Sequence, residues 1–329
     1  MNRVNISKVA EMASVSQSTV SRALNGSGYV SSAAKEKVKR VVSDLGYRQN
    51  MLAKKLRTSE TRFIGLVIPD ITNDFFARLA KSIEVTLQKE GYALFLCNSE
   101  EDPQKEDFYI TTLLDNQVDA IITTPSTKVA NKKLLSSTIP IVYADRIVQT
   151  GRSNVASITS DNECGGRLAA EKLIAAKSAN IVVLKEGRRI STAATERMNG
   201  FVKTLEAFPR IKYTSFDTAI SAESGYAMMD RIIGERKFDA LFCTSDVIAI
   251  GAIKCLNDHR ISIPDSVQVI GFDGISMGTF LIRPLTTIVQ DVESMGKAIG
   301  NTVLAMIRGK PFSRLTVLPV SLLERETTK

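Results

Sequence analysis

The side chains best suited to chemistry near the start of the chain crowd into residues 4–25, VNISKVAEMASVSQSTVSRALN. Gln17, Ser18, Thr19, Ser21, Arg22 and Asn25 fall within nine positions, and all can donate or accept hydrogen bonds. A Gln amide and an Arg fork match the donor–acceptor edges of base pairs in a major groove, and hydroxyls serve equally well against phosphate oxygens. If the segment is helical, these residues form a polar side able to read an edge rather than merely be solvated.

The elements that must hold them are legible from apolar spacing. Ile6, Val9, Ala10 and Ala13 make one short stripe, and Val15, Thr19, Val20 and Leu24 a second after a break at Ser14, which predicts two short helices joined by a tight turn. Ser7 and Ser16 stand where helix N-caps belong, since a Ser oxygen accepts from the free N–H groups of a first turn. The pattern is that of a helix-turn-helix with a recognition helix. After the turn cluster Asn25-Gly26-Ser27-Gly28, Ser31 and Ser32 open a third helix that runs to Leu45, with Val38, Val41, Val42 and Leu45 inward and Gly46 closing it. Residues 47–62 are basic and poor in large apolar side chains. They read either as a linker or as a hinge segment that orders only against DNA and a partner copy.

Charge agrees with this placement. Residues 1–62 hold 12 Lys+Arg against 4 Asp+Glu, whereas residues 63–329 hold 31 of each, so the whole net charge of +8 lies at the head. A segregated basic end suits a polyanion, because neutralising phosphates releases condensed counterions. The first 30 residues contain no apolar run of signal-peptide type, and no stretch of about 18 apolar residues occurs anywhere, which implies no membrane span and a cytoplasmic protein. Cys97, Cys164, Cys243 and Cys255 are dispersed without a C-x-x-C pair and read as buried, reduced thiols.

From Phe63 the periodicity changes to short apolar runs alternating with amphipathic helices. Strands are expected at 63–68, 93–97, 120–124, 141–143, 155–160, 181–184, 213–216, 240–244, 267–272 and 286–289. Helices are expected at 74–90, 104–116, 165–176, 194–208, 222–233 and 246–257. Such alternation means parallel sheets covered on both faces, and ten strands divide most naturally into two similar open sheets. A ligand then belongs in the cleft beyond the carboxyl ends of the strands.

The head sequence, together with GYVSSAAKEKVKRVVSDLGYRQNMLAKKLRT, resembles the DNA-binding head of the LacI/GalR family of bacterial regulators. The remainder resembles their periplasmic-binding-protein-like core through IGLVIPDITNDFF, IPIVYADR, SDNECGGRLAAEKLI, TERMNGF, CTSDVIAIGA and VIGFDG, in family order over essentially the whole chain. Within the family it is most similar to Gram-positive ribose operon repressors. The resemblance implies an all-α helix-turn-helix head (1–49), a hinge helix and linker (50–62), and an α/β core of two doubly wound parallel-sheet subdomains (63–329). Those subdomains would be roughly 63–161 plus 292–322, and 162–291 plus 323–329.

It also implies roles. Gln17 and Ser18 would read bases with Arg22 a turn later, while Ser7, Ser16, Thr19, Ser21 and Asn25 would mainly position the head on the backbone. Asn50, Leu52, Ala53 and Leu56 would act from the hinge, with Leu56 wedged into the minor groove. A polyol suits carboxylates, Arg, amides and aromatic faces. Asn73, Phe75, Phe76, Asp145, Arg146, Arg197, Phe272, Asp273 and Gln290 match ribose-contacting positions of similar sugar-binding proteins. Ser245 departs from the Asn usual in its place. The implied protein is a homodimeric repressor of a sugar-utilisation operon that binds a nearly palindromic double-stranded operator, half-sites about 10 bp apart, and is controlled by ribose or a similar sugar. The alternative within the class is a catabolite-control regulator activated by a serine-phosphorylated phosphocarrier protein, and outside it a sugar-binding or sugar-processing protein with an incidental basic head.

No enzyme, cofactor or metal is expected. Gly274-Ile-Ser276-Met-Gly278 matches the nucleophile-elbow pattern, but that fold places its histidine after the serine, and His259 precedes it. His259 reads as a surface residue at a helix end. Gly296-x-x-x-Gly300 reads as a close-packing pair, and no Walker A or zinc spacing occurs.

Overall fold

The computed structural model describes residues 5–25, 28–47, 60–127, 131–148, 150–187 and 192–329. The chain divides into two compact units, Met1–Thr61 and Arg62–Lys329.

In the first unit the expected stripes form α1 (Ile6–Ala13), α2 (Gln17–Asn25) and α3 (Ser32–Asp44). Val9, Ala10, Ala13, Val20, Val38 and Tyr47 bury one small core among them. The turn is made by Ser14, whose positive φ of 53° returns its N–H to the Ala10 and Glu11 carbonyls. Ser16 Oγ accepts from Thr19 N at 3.1 Å, as a cap should. The cap of α1, however, is Asn5, whose side chain accepts from Lys8 N at 3.0 Å. Ser7 sits inside the helix and instead accepts from the Gln17 amide, 3.0 Å away, tying α1 to α2. Ser31 caps α3 as expected.

The second unit holds two six-stranded sheets. The chain first runs β1 (Phe63–Ile68), α4 (Asp74–Gln88), β2 (Ala93–Asn98), α5 (Pro103–Asp115), β3 (Ala120–Thr123), α6 (Lys132–Ser136), β4 (Ile141–Ala144) and β5 (Val155–Ser160). It continues through α7 (Asn162–Ala175), β6 (Asn180–Glu186), α8 (Thr192–Leu205), β7 (Lys212–Thr218), α9 (Ala222–Glu235), β8 (Ala240–Cys243), α10 (Asp246–Asp258), β9 (Gln268–Asp273) and β10 (Thr286–Gln290). It ends with α11 (Val292–Ile307), β11 (Leu315–Leu318) and β12 (Val320–Leu323). The first sheet has order β11-β5-β4-β3-β1-β2 and the second β12-β10-β9-β8-β6-β7.

The first sheet is parallel throughout, but β12 runs antiparallel to β10, with Gln290 opposite Val320, so the second sheet is parallel-dominated rather than wholly parallel. That pairing puts the last crossing between the sheets at Pro319, ahead of residues 322–323. Both short terminal strands went unforeseen. Inner strands such as β4 and β8 are fully buried because helices cover both faces, and that is why they read as unbroken apolar runs.

Helices α4 and α11 pack on the first sheet. They approach so closely that a Cβ on Gly296 would lie 2.4 Å from the Ser82 side chain and one on Gly300 2.7 Å from Thr86, which accounts for the glycine pair. Cys243 and Cys255 are buried, but Cys97 and Cys164 are only half-buried, Cys97 because β2 is an edge strand.

Candidate functional site

The β-to-α turns at the carboxyl ends of the strands are shaped by side-chain caps. Asn73, Asp161, Ser221 and Asp291 each accept an N–H of the helix that follows. Ser245 stands at the same place before α10 and makes no cap bond. Its hydroxyl donates to Asp273 Oδ2 at 3.0 Å instead. Asp273 ends β9, and its other oxygen accepts from Gln290 Nε2 at 2.8 Å and Arg197 Nη1 at 3.3 Å.

Arg197 is the hub of this wall. Its Nε donates to Asn162 Oδ1 at 2.8 Å and Nη1 to the Thr244 carbonyl at 2.6 Å, while the guanidinium lies 3.7 Å above the centroid of the Phe272 ring. Desolvated stacking of that kind is worth about 2 kcal/mol. Helix α8 brings Arg197 this close because of two glycines: a Cβ on Gly166 would lie 1.9 Å from the Arg197 carbonyl oxygen, and one on Gly200 1.9 Å from that of Glu163.

On the other wall, Asp145 and Arg146 follow β4 and are both buried. Arg146 is held by Glu101 through two N–H donors at 3.2 and 2.7 Å and by the Pro125 carbonyl at 2.5 Å. Asn73, Phe75, Phe76, Asp145, Arg146, Arg197, Ser245 and Asp273 line one cavity, joined by Glu186, Ala193, Ile220 and Thr244. Eight of the ten expected cleft residues therefore converge. Gln290 stands behind Asp273, and Phe272 is fully buried beneath Arg197 rather than on the cavity wall, so its part is to carry the guanidinium.

Asn162, Glu101, Glu186 and Thr244 were missed. All sit at or just past a strand's carboxyl end, the same signal that located the others.

The cavity's polar groups are not all satisfied. Among the described residues, Asp145 Oδ1 and Arg146 Nε on its wall, and Gln290 Oε1 behind Asp273, are buried without a hydrogen-bond partner. Burial pushes the Asp145 carboxyl up to about 7, against the opposing pull of Arg197 and Arg146. Asp273 is also raised by burial, although Arg197, Ser245 and Gln290 hold it down. Behind them, burial and the Asp273 charge raise Asp246 to about 8, while Thr287 Oγ1 donates to it at 2.7 Å and the Ile275 N–H at 2.9 Å. Carboxyls, guanidinium groups, a hydroxyl and aromatic edges around one cavity suit a neutral polyhydroxy ligand.

The head offers a second site. Ser7, Ser16, Gln17, Ser18 and Arg22 are exposed, and Thr19 is half-exposed. Ser21 is 2 % exposed, so it does not stand on the outer face. Helix α2 packs against both α1 and α3, and the arc it buries is wider than one stripe. Asn25 closes α2, but its side chain lies outside the described residues, as do Asn50, Leu52, Ala53 and Leu56.

Residues 5–50 match the family model for bacterial regulatory proteins of the lacI family, and residues 64–311 match the periplasmic binding protein domain. The chain belongs to the lacI family of bacterial regulatory proteins. It is 34% identical to the ribose operon repressor of Halalkalibacterium halodurans, over 98% of this chain and 97% of that one. The lac repressor dimer bound to operator and the anti-inducer ONPF superposes with a TM-score of 0.87 at 25% identity over 99% of each chain. A LacI family regulator from Enterococcus faecium with bound ribose superposes with a TM-score of 0.74 at 26% identity, over 81% of this chain and 98% of that one. The relatives of this lacI-family chain are regulators, not enzymes. In keeping with that, Ser276 of the G-x-S-x-G stretch begins a short 3-10 turn, and His259 sits at the end of α10, 2.7 Å from Asp230 on α9. With Cys255, those two place one potential ligand atom each within 4.8 Å of one another, a grouping the dispersed cysteines had not suggested.

Proposed function

We propose that this chain is a transcriptional repressor of a sugar-utilisation operon, with D-ribose or a close analogue as effector. The carrying observation is the cavity between the strand ends, where two buried polar atoms of its lining, Asp145 Oδ1 and Arg146 Nε, lack partners that sugar hydroxyls would supply. The names of its relatives and the ribose-bound neighbour support the same ligand class. Three carboxylates (Asp145, Glu186, Asp273) against two guanidinium groups, each already paired, disfavour a phosphorylated sugar. This effector reading is better supported than activation by a phosphocarrier protein.

The exposed edge of α2, with Gln17, Ser18 and Arg22, reads operator bases in each half-site. The hinge residues Asn50, Leu52, Ala53 and Leu56 add minor-groove contacts. The active species is a homodimer in the cytoplasm. Its contact is the face where Phe280 (85 % exposed) and Ile282 (95 % exposed) stand beside an apolar groove lined by Tyr226, Ile250, Ile253 and Ile263, an arrangement two copies can satisfy reciprocally. Sugar binding shifts the relative angle of the two sheets, changes the spacing of the hinges across the dimer and releases the operator.

Calorimetric titration of D-ribose into the full-length protein tests the effector, with ribose 5-phosphate and sucrose as comparisons. Saturable binding of ribose alone, lost in Asp273→Ala, is the expected result. Binding of none of the three would overturn the effector assignment.

A further inference from the structure

The last residue of β9 and the three that follow it each have a separate engagement. Asp273 faces the cavity with φ 115°, and Gly274 follows at φ 73°. The Gly274 carbonyl accepts from Arg78 Nη1 at 3.2 Å. The Ile275 N–H donates to Asp246, and its side chain is buried as part of the first sheet's hydrophobic core. The Ser276 N–H donates to Asp74 Oδ2 at 2.9 Å.

Asp74 and Arg78 lie one turn apart on α4, 3.9 Å from each other. The same helix begins with Asn73, Phe75 and Phe76, which line the cavity. A segment belonging to the second sheet is thus gripped at two backbone groups by a helix of the first, immediately beside the residue that ends β9. Neither Asp74 nor Arg78 lines the cavity.

We propose that Asp74 and Arg78 are positioning residues for the effector site. They latch residues 274–276 to α4 and so fix the Asp273 carboxylate against the opposing wall. A ligand that touches both walls then binds two surfaces already held in register, and loss of the latch lowers its affinity. The inference rests on the effector reading above, but the latch itself can be tested without a ligand.

The local backbone supplies clean variants. Asp74→Asn keeps an oxygen that accepts the Ser276 N–H, whereas Asp74→Ala does not. Ile275 has φ −70° and ψ 151°, a conformation open to a residue preceding proline, so Ser276→Pro removes the donor, and the proline ring turns the Asp74 carboxylate aside. A hydrogen bond to a charged group, reduced here because Asp74 is 34 % exposed, predicts a three- to tenfold effect.

The experiment is amide exchange of peptide 274–280 together with D-ribose calorimetry, both on the full-length protein. Asp74→Ala should exchange at least tenfold faster over 274–280 and bind D-ribose three- to tenfold more weakly, with Asp74→Asn close to wild type in both. Ser276→Pro should match Asp74→Ala in ribose affinity, and the double variant should lose nothing more. Wild-type ribose affinity in Asp74→Ala, or additive losses in the double variant, would overturn the latch and leave the effector reading standing. If wild type takes up no D-ribose, the effector reading falls, and unchanged exchange in Asp74→Ala would overturn the latch as well.

Discussion

The two walls of the cavity are built around the same device and finished differently. Each presents an aspartate at a strand end in a left-handed backbone conformation, Asp145 after β4 at φ 62° and Asp273 on β9 at φ 115°. Such conformations cost about 1–3 kcal/mol in a residue other than glycine and persist only where the surroundings enforce them. Asp273 has both oxygens engaged, by Arg197, Gln290 and Ser245. Asp145 has Oδ1 buried with no partner among the described residues, and its neighbour Arg146 has Nε in the same condition. One wall is fixed in advance and the other is completed by what enters. Preorganisation of the first limits what must be ordered on binding, and the cost of unpaired groups on the second is recovered when hydroxyls meet them.

The contrast breaks most visibly at Arg197. Arg197→Ala removes a stacked, fourfold-engaged cation and leaves Asp273 buried without it. Loss of one member of a buried pair costs about 3–5 kcal/mol, so the melting temperature should fall by about 10 °C. Ribose affinity should fall by at least a hundredfold in calorimetry. Both readouts move the same way because this wall serves structure and ligand together.

At Asp145 they should move in opposite directions. Asp145→Asn exchanges a buried carboxylate for a neutral group of the same shape, so ribose binding should weaken about tenfold while the ligand-free protein melts a few degrees higher. A drop in both quantities would erase the distinction between the walls.

The smallest effect is that of pH. A carboxyl whose folded pKa is raised holds its proton in the folded state after the unfolded chain has lost it. Stability therefore declines as pH rises from about 4 through the folded value, here about 7 for Asp145 and about 8 for Asp246. Thermal melts of the ligand-free protein should show lower stability at pH 8 than at pH 5. The advantage of Asp145→Asn should be present at pH 8 and nearly absent at pH 5.

Much of this was legible in the sequence, for physical reasons that also explain the gaps. Central parallel strands such as β4 and β8 announce themselves because burial on both faces demands an unbroken apolar run. The edge pieces β11 and β12 are four residues each and half-exposed in alternation, too short for a period to emerge. Polar residues at strand ends marked the cavity, but which of them pair is a property of the fold. Nothing local says that Asn162 meets Arg197 across 35 positions, or that Glu101 meets Arg146 across 45. Phe272 was readable as an aromatic near a cleft and not as the platform beneath an arginine. In the head, Asn5 and Ser7 are both competent caps, and the structure uses Asn5 to start α1 and Ser7 to bind Gln17. Ser21 is small enough to be enclosed where α2 meets two neighbours.

The most direct test joins the two sites. An operator selected from random duplexes by the full-length protein would be titrated by fluorescence anisotropy with and without D-ribose, for wild type and Asp145→Asn. The account predicts that ribose weakens operator binding at least tenfold in wild type, with half-maximal release at about tenfold higher ribose in the variant. Operator affinity unmoved by saturating ribose, or release at the same ribose concentration in both proteins, would contradict it.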